Sequence, residues 1–598
     1  MNARGDPFLY HSSKGRGFAR TGLVHRLHPS FFLGNRFIVT LIKKTFARRR
    51  LLAAAAILGT GLAGAARAAG RVVETDVVVV GLGAAGASAA IEAADAGARV
   101  VVLEKSAESS HCSNTRLSSG IYQCPDRSMS PAELKRYILA TYLPERCMVE
   151  TDPVLCGRMN RLAEVWADLA PDTHDWLKRL DPDFRAASSP LYTMPGFMRF
   201  WQGVRPHVQA KIATYTHWRD FNEVSYKAPK SHAMNGEALH RCLLEGISKR
   251  PSIRTVYEAD VRSLERNDGG AVVGVTAMVA GTRTVFRARR GVVLATGGFA
   301  FDKTLREELL PPGMNDFWGC TGSPLNTGDG IRMCDGEASL VRSAALFDRF
   351  CLLLPEEING VRLGVALDCL GRPHTLLVDS TGSRFTDESS LQDIHQHYGF
   401  VDQMLVRDPE TGARPRLPVW CIFDGRLLEN SALVTLGEGS TVCGIVPWDK
   451  DNREAFKRGW ILRAPDARSL ASLIARHPDN HGRMDPDRLA ATLARFNKSA
   501  SGRFDVDYDR AVSTLAPVGG GGLFAMPVSL DVPHMAAGLE TDEFRRVLGR
   551  DGKPVKGLFA AGEVAPVSRF VHDKGGHLSE CLVFGRHAGR CVAGWSGA

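Results

Sequence analysis

The sequence predicts an α/β fold: a Rossmann-like, nucleotide-binding domain built on a G-x-G-x-x-G turn, with an inserted α+β cap domain. Three observations predict it. A β-branched run breaks at Gly81-Leu82-Gly83-Ala84-Ala85-Gly86 and passes into a helix of small residues. Two more buried-strand patterns end on glycines far along the chain, at Gly297-Gly298 and at Gly562. Those distant pieces are separated by long insertions, across which one nucleotide fold returns to its sheet.

Composition sets the outer bounds. With 598 residues, 44% hydrophobic and 23% charged, the chain is long enough for two or more globular domains. The formal net charge of +10 sits at one end: residues 1–71 hold thirteen Lys or Arg against one acid, Asp6. The body is therefore close to neutral, and no nucleic-acid partner is expected. The thirteen cysteines include no CxxC or CxxCH spacing, so a zinc pair and an attached haem lack support and no metal site is expected. Their odd, scattered usage suggests folding in a reducing compartment.

Residues 1–70 read as a leader. Lys43-Lys44 and Arg48-Arg49-Arg50 precede a weakly apolar run from Leu51 to Ala66, and Ala66-Arg67-Ala68 offers a small-x-small cleavage site. The stretch Ala47-Arg48-Arg49-Arg50-Leu51-Leu52 resembles a twin-arginine signal, the address of a route that exports folded proteins. The expectation is a periplasmic or exported protein. An uncleaved anchor and a Sec signal are the other readings, although the run is short of the ~20 residues a membrane span needs.

The first element of the body is Thr75 to Val80, apolar enough for a strand buried on both faces. Gly81 makes the tight turn, Gly83 lets backbone approach a pyrophosphate, and Gly86 lets the helix pack close to the strand. The helix runs from Ala84 to Ala96 with Gly97 at its end, and a second strand, Ala98 to Leu103, ends in Glu104. That acid stands about 20 residues on, where a ribose is held. Asn267-Asp268-Gly269 marks a hairpin feeding the strand Gly291 to Thr296. Gly557 to Glu563 is a third strand-to-turn element, and Gly575-Gly576 opens a C-terminal helix. A nucleotide fold that returns to its sheet across such insertions suits a long cofactor lying across the domain.

The predicted organisation has a leader at 1–70, a first part of the nucleotide domain at 72–300, a cap at 301–514 and a second part of the nucleotide domain at 515–598. Within the first part, 121–235 reads as a mostly helical excursion, with helices at Pro131 to Leu143 and Pro153 to Leu169. The Gly519 to Gly522 run reads as the return from cap to nucleotide domain. Met194 and Trp201 stand in an aromatic-rich segment that reads as core packing before pocket lining.

Several separated motifs resemble those of the fumarate reductase and succinate dehydrogenase flavoprotein family, over roughly 75–595. Ser113-Asn114-Thr115-Arg116-Leu117-Ser118-Ser119-Gly120 is similar to its flavin-ring loop, and Asn326-Thr327-Gly328-Asp329-Gly330 to its Gly-Asp-Gly motif. Val378 to Glu388 is similar to its active-site cap strand. Leu489 to Asn497, followed by Asp505 to Tyr508, resembles its late helix and acidic turn. The closest resemblance is to the subgroup of tricarballylate and ketosteroid dehydrogenases. It implies a Rossmann-like FAD-binding domain with an inserted cap, and substrate held between cap and flavin. Members with covalent flavin have a His at what is here Asn114, so the resemblance implies non-covalent FAD. The implied contacts are Gly81, Gly83, Ala85, Gly86, Glu104, Asn114, Thr115, Ser119 and Gly120. Further along they are Val261, Gly297, Gly298, Asp329, Glu563 and Leu578.

The resemblance breaks at the chemistry. The family's acidic Arg falls on Gln392, its carboxylate-gripping Arg on Asp573, and the steroid enzymes' Tyr near Leu391. One family histidine matches, His534. The loop after it offers Arg569, His572, Lys574 and His577: a histidine to exchange a proton, and a cation to stabilise an enolate. His534, Arg569 and His572 are therefore the candidate catalytic residues. The expected function is an exported FAD-dependent oxidoreductase moving a hydride between flavin and a C–C bond beside a carbonyl or carboxylate. Its substrate is a small molecule, and its expected electron partner is a separate cytochrome or quinone. The alternative is a flavin-binding redox relay or sensor without substrate chemistry.

Overall fold

The computed structural model describes residues 71–596, apart from 119, 121, 126–128, 143–152, 185–186, 191–211, 217–234, 311–317, 335, 343–348, 368, 393–396, 431–432, 435–451, 533 and 569–574. The leader, Met194 and Trp201 lie outside the described residues.

The first sheet is organised around Arg71–Val80, whose residues Val77, Val78 and Val79 are fully buried. Valines tolerate this because their branched side chains pack on both faces of a pleated strand. This strand pairs in parallel with Val100–Leu103 on one side and Thr282–Leu294 on the other. Ile253–Val256 and Pro554–Ala560 extend the sheet, also in parallel, and Arg546–Leu548 closes one edge antiparallel. The hairpin forms as its turn residues predict: Ala259–Arg266 and Val272–Val279 pair antiparallel around Asn267 to Ala271, and the second strand continues onto Thr282–Leu294. The helices Ala84–Asp95 and Gly576–Gly594 pack so closely that a Cβ on Gly589 would meet the Ala89 carbonyl oxygen at 2.3 Å.

A second sheet lies in the order Val361–Ala366, Arg349–Ile358, Leu523–Asp531, Val419–Asp424, Thr375–Val378. Its centre corrects the expected boundary at 515. Leu523–Asp531 is buried along its whole length and pairs antiparallel with Arg349–Ile358 and Val419–Asp424, so the chain leaves this sheet only after Asp531. The Gly519–Gly522 run is a turn inside the second sheet. The amides of Gly519 and Gly520 both donate to the Asp424 carboxylate at 2.8 Å.

Two other segments differ from expectation. The excursion after Gly120 contains the helices Pro131–Tyr142 and Pro153–Leu169, but also a three-stranded sheet of Tyr122–Pro125, Ala187–Pro190 and Ile212–Thr216. Val378 to Glu388 is not a strand beyond Val378. The Asp379 carboxylate accepts from the Thr381 and Ser383 amides at 2.8 and 3.0 Å, which turns the chain. Arg384 is then buried between Glu388 and Asp505, at 2.8 and 2.9 Å. This buried ion cluster ties the turn to the segment following the late helix, Pro486–Ser501.

Candidate cofactor and active site

The glycine turn is dictated by backbone crowding. Gly81 has φ +104, and a Cβ there would fall 2.2 Å from the Ala295 carbonyl oxygen. A Cβ on Gly86 would fall 2.0 Å from the Gly81 oxygen, so the helix starts directly against the turn. Gly83 caps that helix with no side chain, and its first turn holds no acid. The positive end of the helix dipole is thus left facing the adjoining cavity, as a phosphate requires. The Thr115 hydroxyl accepts from the Ala84 amide at 2.9 Å and joins the flavin-loop segment to this helix.

Leu82, at the tip of the turn, is held from both sides. Its amide donates to Glu104 Oε2 at 3.1 Å, and its carbonyl faces His240 Nε2 at 3.1 Å. The carbonyl can only accept, so Nε2 carries the proton. Burial, then the neighbouring His111, push His240 down to about 3, so it is a neutral imidazole. Burial alone would raise Glu104. His111, with Nε2 at 3.6 Å, and the Ser106 amide and hydroxyl outweigh it, and the carboxyl is held at about 2. The His111 and His240 rings stack at 4.5 Å. Glu104 is therefore a fixed anion in the cavity wall. Lys105 Nζ meets the Asp329 carboxylate at 2.8 Å, which neutralises that acid within the wall.

Further along the same cavity, Asn114 Nδ2 donates to Glu563 Oε2 at 3.0 Å, while its Oδ1 accepts from the Ser323 amide at 2.7 Å. Both ends of this amide are thereby fixed. Glu563 Oε1 accepts from the Met535 amide at 2.9 Å. Its carboxyl lies deep among protein atoms with its remaining exposure directed to the cavity, and burial pushes it up to about 7 against the pull of its amide donors. His534 and His577 also line this cavity, with ring centroids 4.0 Å apart. His577 stands in the first turn of Gly576–Gly594, and His534 in the loop after the second sheet's central strand.

One cavity thus brings together Gly81, Gly83, Ala85, Glu104, Asn114 and Thr115. Val261, Gly297, Asp329, Glu563, Leu578 and His534 line it as well. Gly86 and Gly120 are not in its wall. Gly298 stands behind Glu563 and bonds it through its amide. Ser119, Arg569, His572, Asp573 and Lys574 lie outside the described residues. Sequence reasoning did not single out Lys105, His111 or His240. Lys105 follows Glu104 and His111 precedes the flavin loop, which are the signals available; His240 had none, because it acts on backbone. Among the described residues no group of His, Cys, Asp or Glu is arranged to hold a metal ion.

A parallel sheet, an uncapped helix at a glycine turn and a fixed anion at the end of the second strand define a dinucleotide-binding fold. The family model for the FAD binding domain matches residues 76–577, and the chain belongs to that family. It is an FAD-dependent oxidoreductase acting on CH–CH groups. It is 26% identical to 4-oxocyclohex-2-ene-1-carboxylate 5-dehydrogenase of Sinomonas cyclohexanicum, over 88% of this chain and 94% of that one. It is 25% identical to the fumarate reductase (cytochrome) of Shewanella frigidimarina, over 87% of this chain and 77% of that one. The fold is similar to that of 3-ketosteroid delta1-dehydrogenase from Sterolibacterium denitrificans, with a TM-score of 0.62 and 21% identity over 87% and 99% of the two chains. It is also similar to the open conformation of a flavocytochrome c3 fumarate reductase, with a TM-score of 0.60 and 20% identity over 88% and 80%.

Proposed function

We propose that this protein is an exported oxidoreductase that moves a hydride between FAD and a C–C bond beside a ring ketone or a single carboxylate. The observation that carries the reading is the His534–His577 pair, in ring contact at 4.0 Å, in the same cavity as the glycine turn. When bound, FAD supplies the two-electron chemistry. The turn and helix N-terminus would hold its diphosphate, Glu104 its ribose, and Asn114 with Glu563 would contact it farther along the cavity. His534 exchanges the proton at the substrate carbon next to the carbonyl, since imidazole titrates near neutrality. Its contact with His577 limits the orientations its ring can take. Arg569, His572 and Lys574 belong to the segment between the two histidines in sequence, and a cation there would stabilise the developing enolate.

The relatives support this substrate class. Their names describe dehydrogenation of oxocyclohexane carboxylates and oxosteroids, in which the reacting carbons neighbour a ketone. A separate electron carrier, cytochrome or quinone, completes the cycle, in keeping with the absence of a haem-binding CxxCH in this chain. Export rests on the leader. Replacing Arg48, Arg49 and Arg50 together with Lys should trap the precursor in the cytoplasm, and normal export of that variant would refute the twin-arginine route. Anaerobic stopped-flow absorbance against enoates and their saturated counterparts tests the reaction. Bleaching or reoxidation of the flavin by substrate separates an enzyme from a redox relay.

A further inference from the structure

We propose that Glu563 is a proton-uptake site coupled to flavin reduction: its carboxylate takes a proton from solvent when the bound FAD gains two electrons. The inference rests on FAD filling the cavity. The balance is two electrons and one proton onto the flavin, with one further proton forming the carboxylic acid of Glu563.

The geometry supports this. Glu563 sits in the turn Gly562–Val564, immediately after the parallel strand Pro554–Ala560, with its carboxylate in the cavity wall. Its bonds come from neutral donors: the Met535 amide at 2.9 Å, Asn114 Nδ2 at 3.0 Å and the Gly298 amide. Among the described residues no Lys or Arg forms an ion pair with it, in contrast to Asp329, which Lys105 neutralises. Among the described residues, the other titratable groups around this space include Cys581, Cys320 and Cys112, whose thiols burial pushes up, Glu580, and the imidazoles of His111, His534 and His577. Glu580 is held on the amides of Val567 and Ser568 at 3.2 and 2.8 Å.

A negative charge added to this cavity repels the Glu563 carboxylate directly. At the dielectric of a protein site and a separation of several ångströms, the repulsion changes its proton affinity by about tenfold or more. A carboxyl already raised to about 7 converts that change into uptake near neutral pH. Glu104, held at about 2, stays ionised through the same event.

The test uses FAD-loaded protein, so a preparation that cannot be loaded overturns the cofactor reading and is told apart from failure of the inference. Potentiometric titration between about pH 7 and 8 is expected to give more than one proton per two electrons in the wild type, the excess vanishing as pH falls below the range where Glu563 is ionised in the oxidised protein, and one in Glu563→Gln. Reduced-minus-oxidised infrared spectra of the wild type supply the second measurement, independent of any variant. A carboxylic-acid carbonyl band should appear on reduction, move in D2O and shift further on 13C-glutamate labelling. An unchanged proton count in Glu563→Gln, or no carboxylic-acid band on reduction of the wild type, overturns the proposal.

Discussion

Two glutamates in one cavity wall are held at opposite extremes of acidity, and their pH signatures have opposite sign. Glu104 is lowered from 4.5 to about 2, so its stabilising contribution is complete above 4.5 and is lost as pH falls through about 2. Glu563 is raised from 4.5 to about 7, so its contribution is complete below 4.5 and is lost as pH rises through about 7. Unfolding of the apoprotein at pH 5 and pH 8 should show this. Glu563→Gln should gain about 1–3 kcal/mol relative to wild type between the lower and higher pH, and a constant difference would refute the raised carboxyl. Glu104→Ala should weaken FAD binding by about 1–3 kcal/mol, read by flavin absorbance titration, because it loses the ribose acceptor and frees the Leu82 amide. Glu104 was legible in the sequence through its place after a strand, and Glu563 only through the family resemblance. His240 was not, because its work is to face the Leu82 carbonyl, and a helix position carries no mark of a backbone partner on a distant turn.

At the scale of elements, the first strand–turn–helix unit separates glycines needed by the fold from one needed by a ligand. A Cβ on Gly86 would stand 2.0 Å from the Gly81 oxygen, with no room to yield. Gly86→Ala should therefore destabilise the apoprotein by about 1–3 kcal/mol or more. Gly83 has φ −81, and the nearest atom to an added Cβ is Thr115 Oγ1 at 3.5 Å, an ordinary contact. Gly83→Ala should leave apoprotein melting nearly unchanged yet weaken FAD, since the methyl stands where the diphosphate approaches. Equal loss of melting temperature in the two variants would refute this division. The strands themselves were readable because they are unbroken β-branched or apolar runs. The boundary at 515 was misplaced because a glycine run has the same composition between domains as in a tight turn. What settles it is Asp424, far away in sequence, accepting from the Gly519 and Gly520 amides.

For the whole molecule, the charges available around the cavity limit what can be turned over. A dicarboxylate needs cationic partners at both ends, because leaving a carboxylate desolvated and unpaired is costly. By resemblance, the positions that carry those cations in fumarate reductases hold Gln392 and Asp573 here. His534 and His577 instead meet at 4.0 Å in the cavity, and imidazole suits a proton exchanged beside a ketone. This protein should therefore not reduce fumarate at a useful rate, and should favour a keto mono-acid or a neutral enone. The check is a kinetic comparison of fumarate with bulkier mono-acid and ketone substrates, using a reduced dye as donor and an oxidised dye for the reverse direction. Fumarate turnover comparable to the best substrate would refute the assignment of Gln392 and Asp573. On that best substrate, His534→Ala should lose about 10²–10⁴ in rate while retaining FAD. Full activity in that variant would move the acid–base group to His572 or His577. The matching variants of those two residues then decide between them, because only the true proton carrier should change the pH profile of the rate as well as its height.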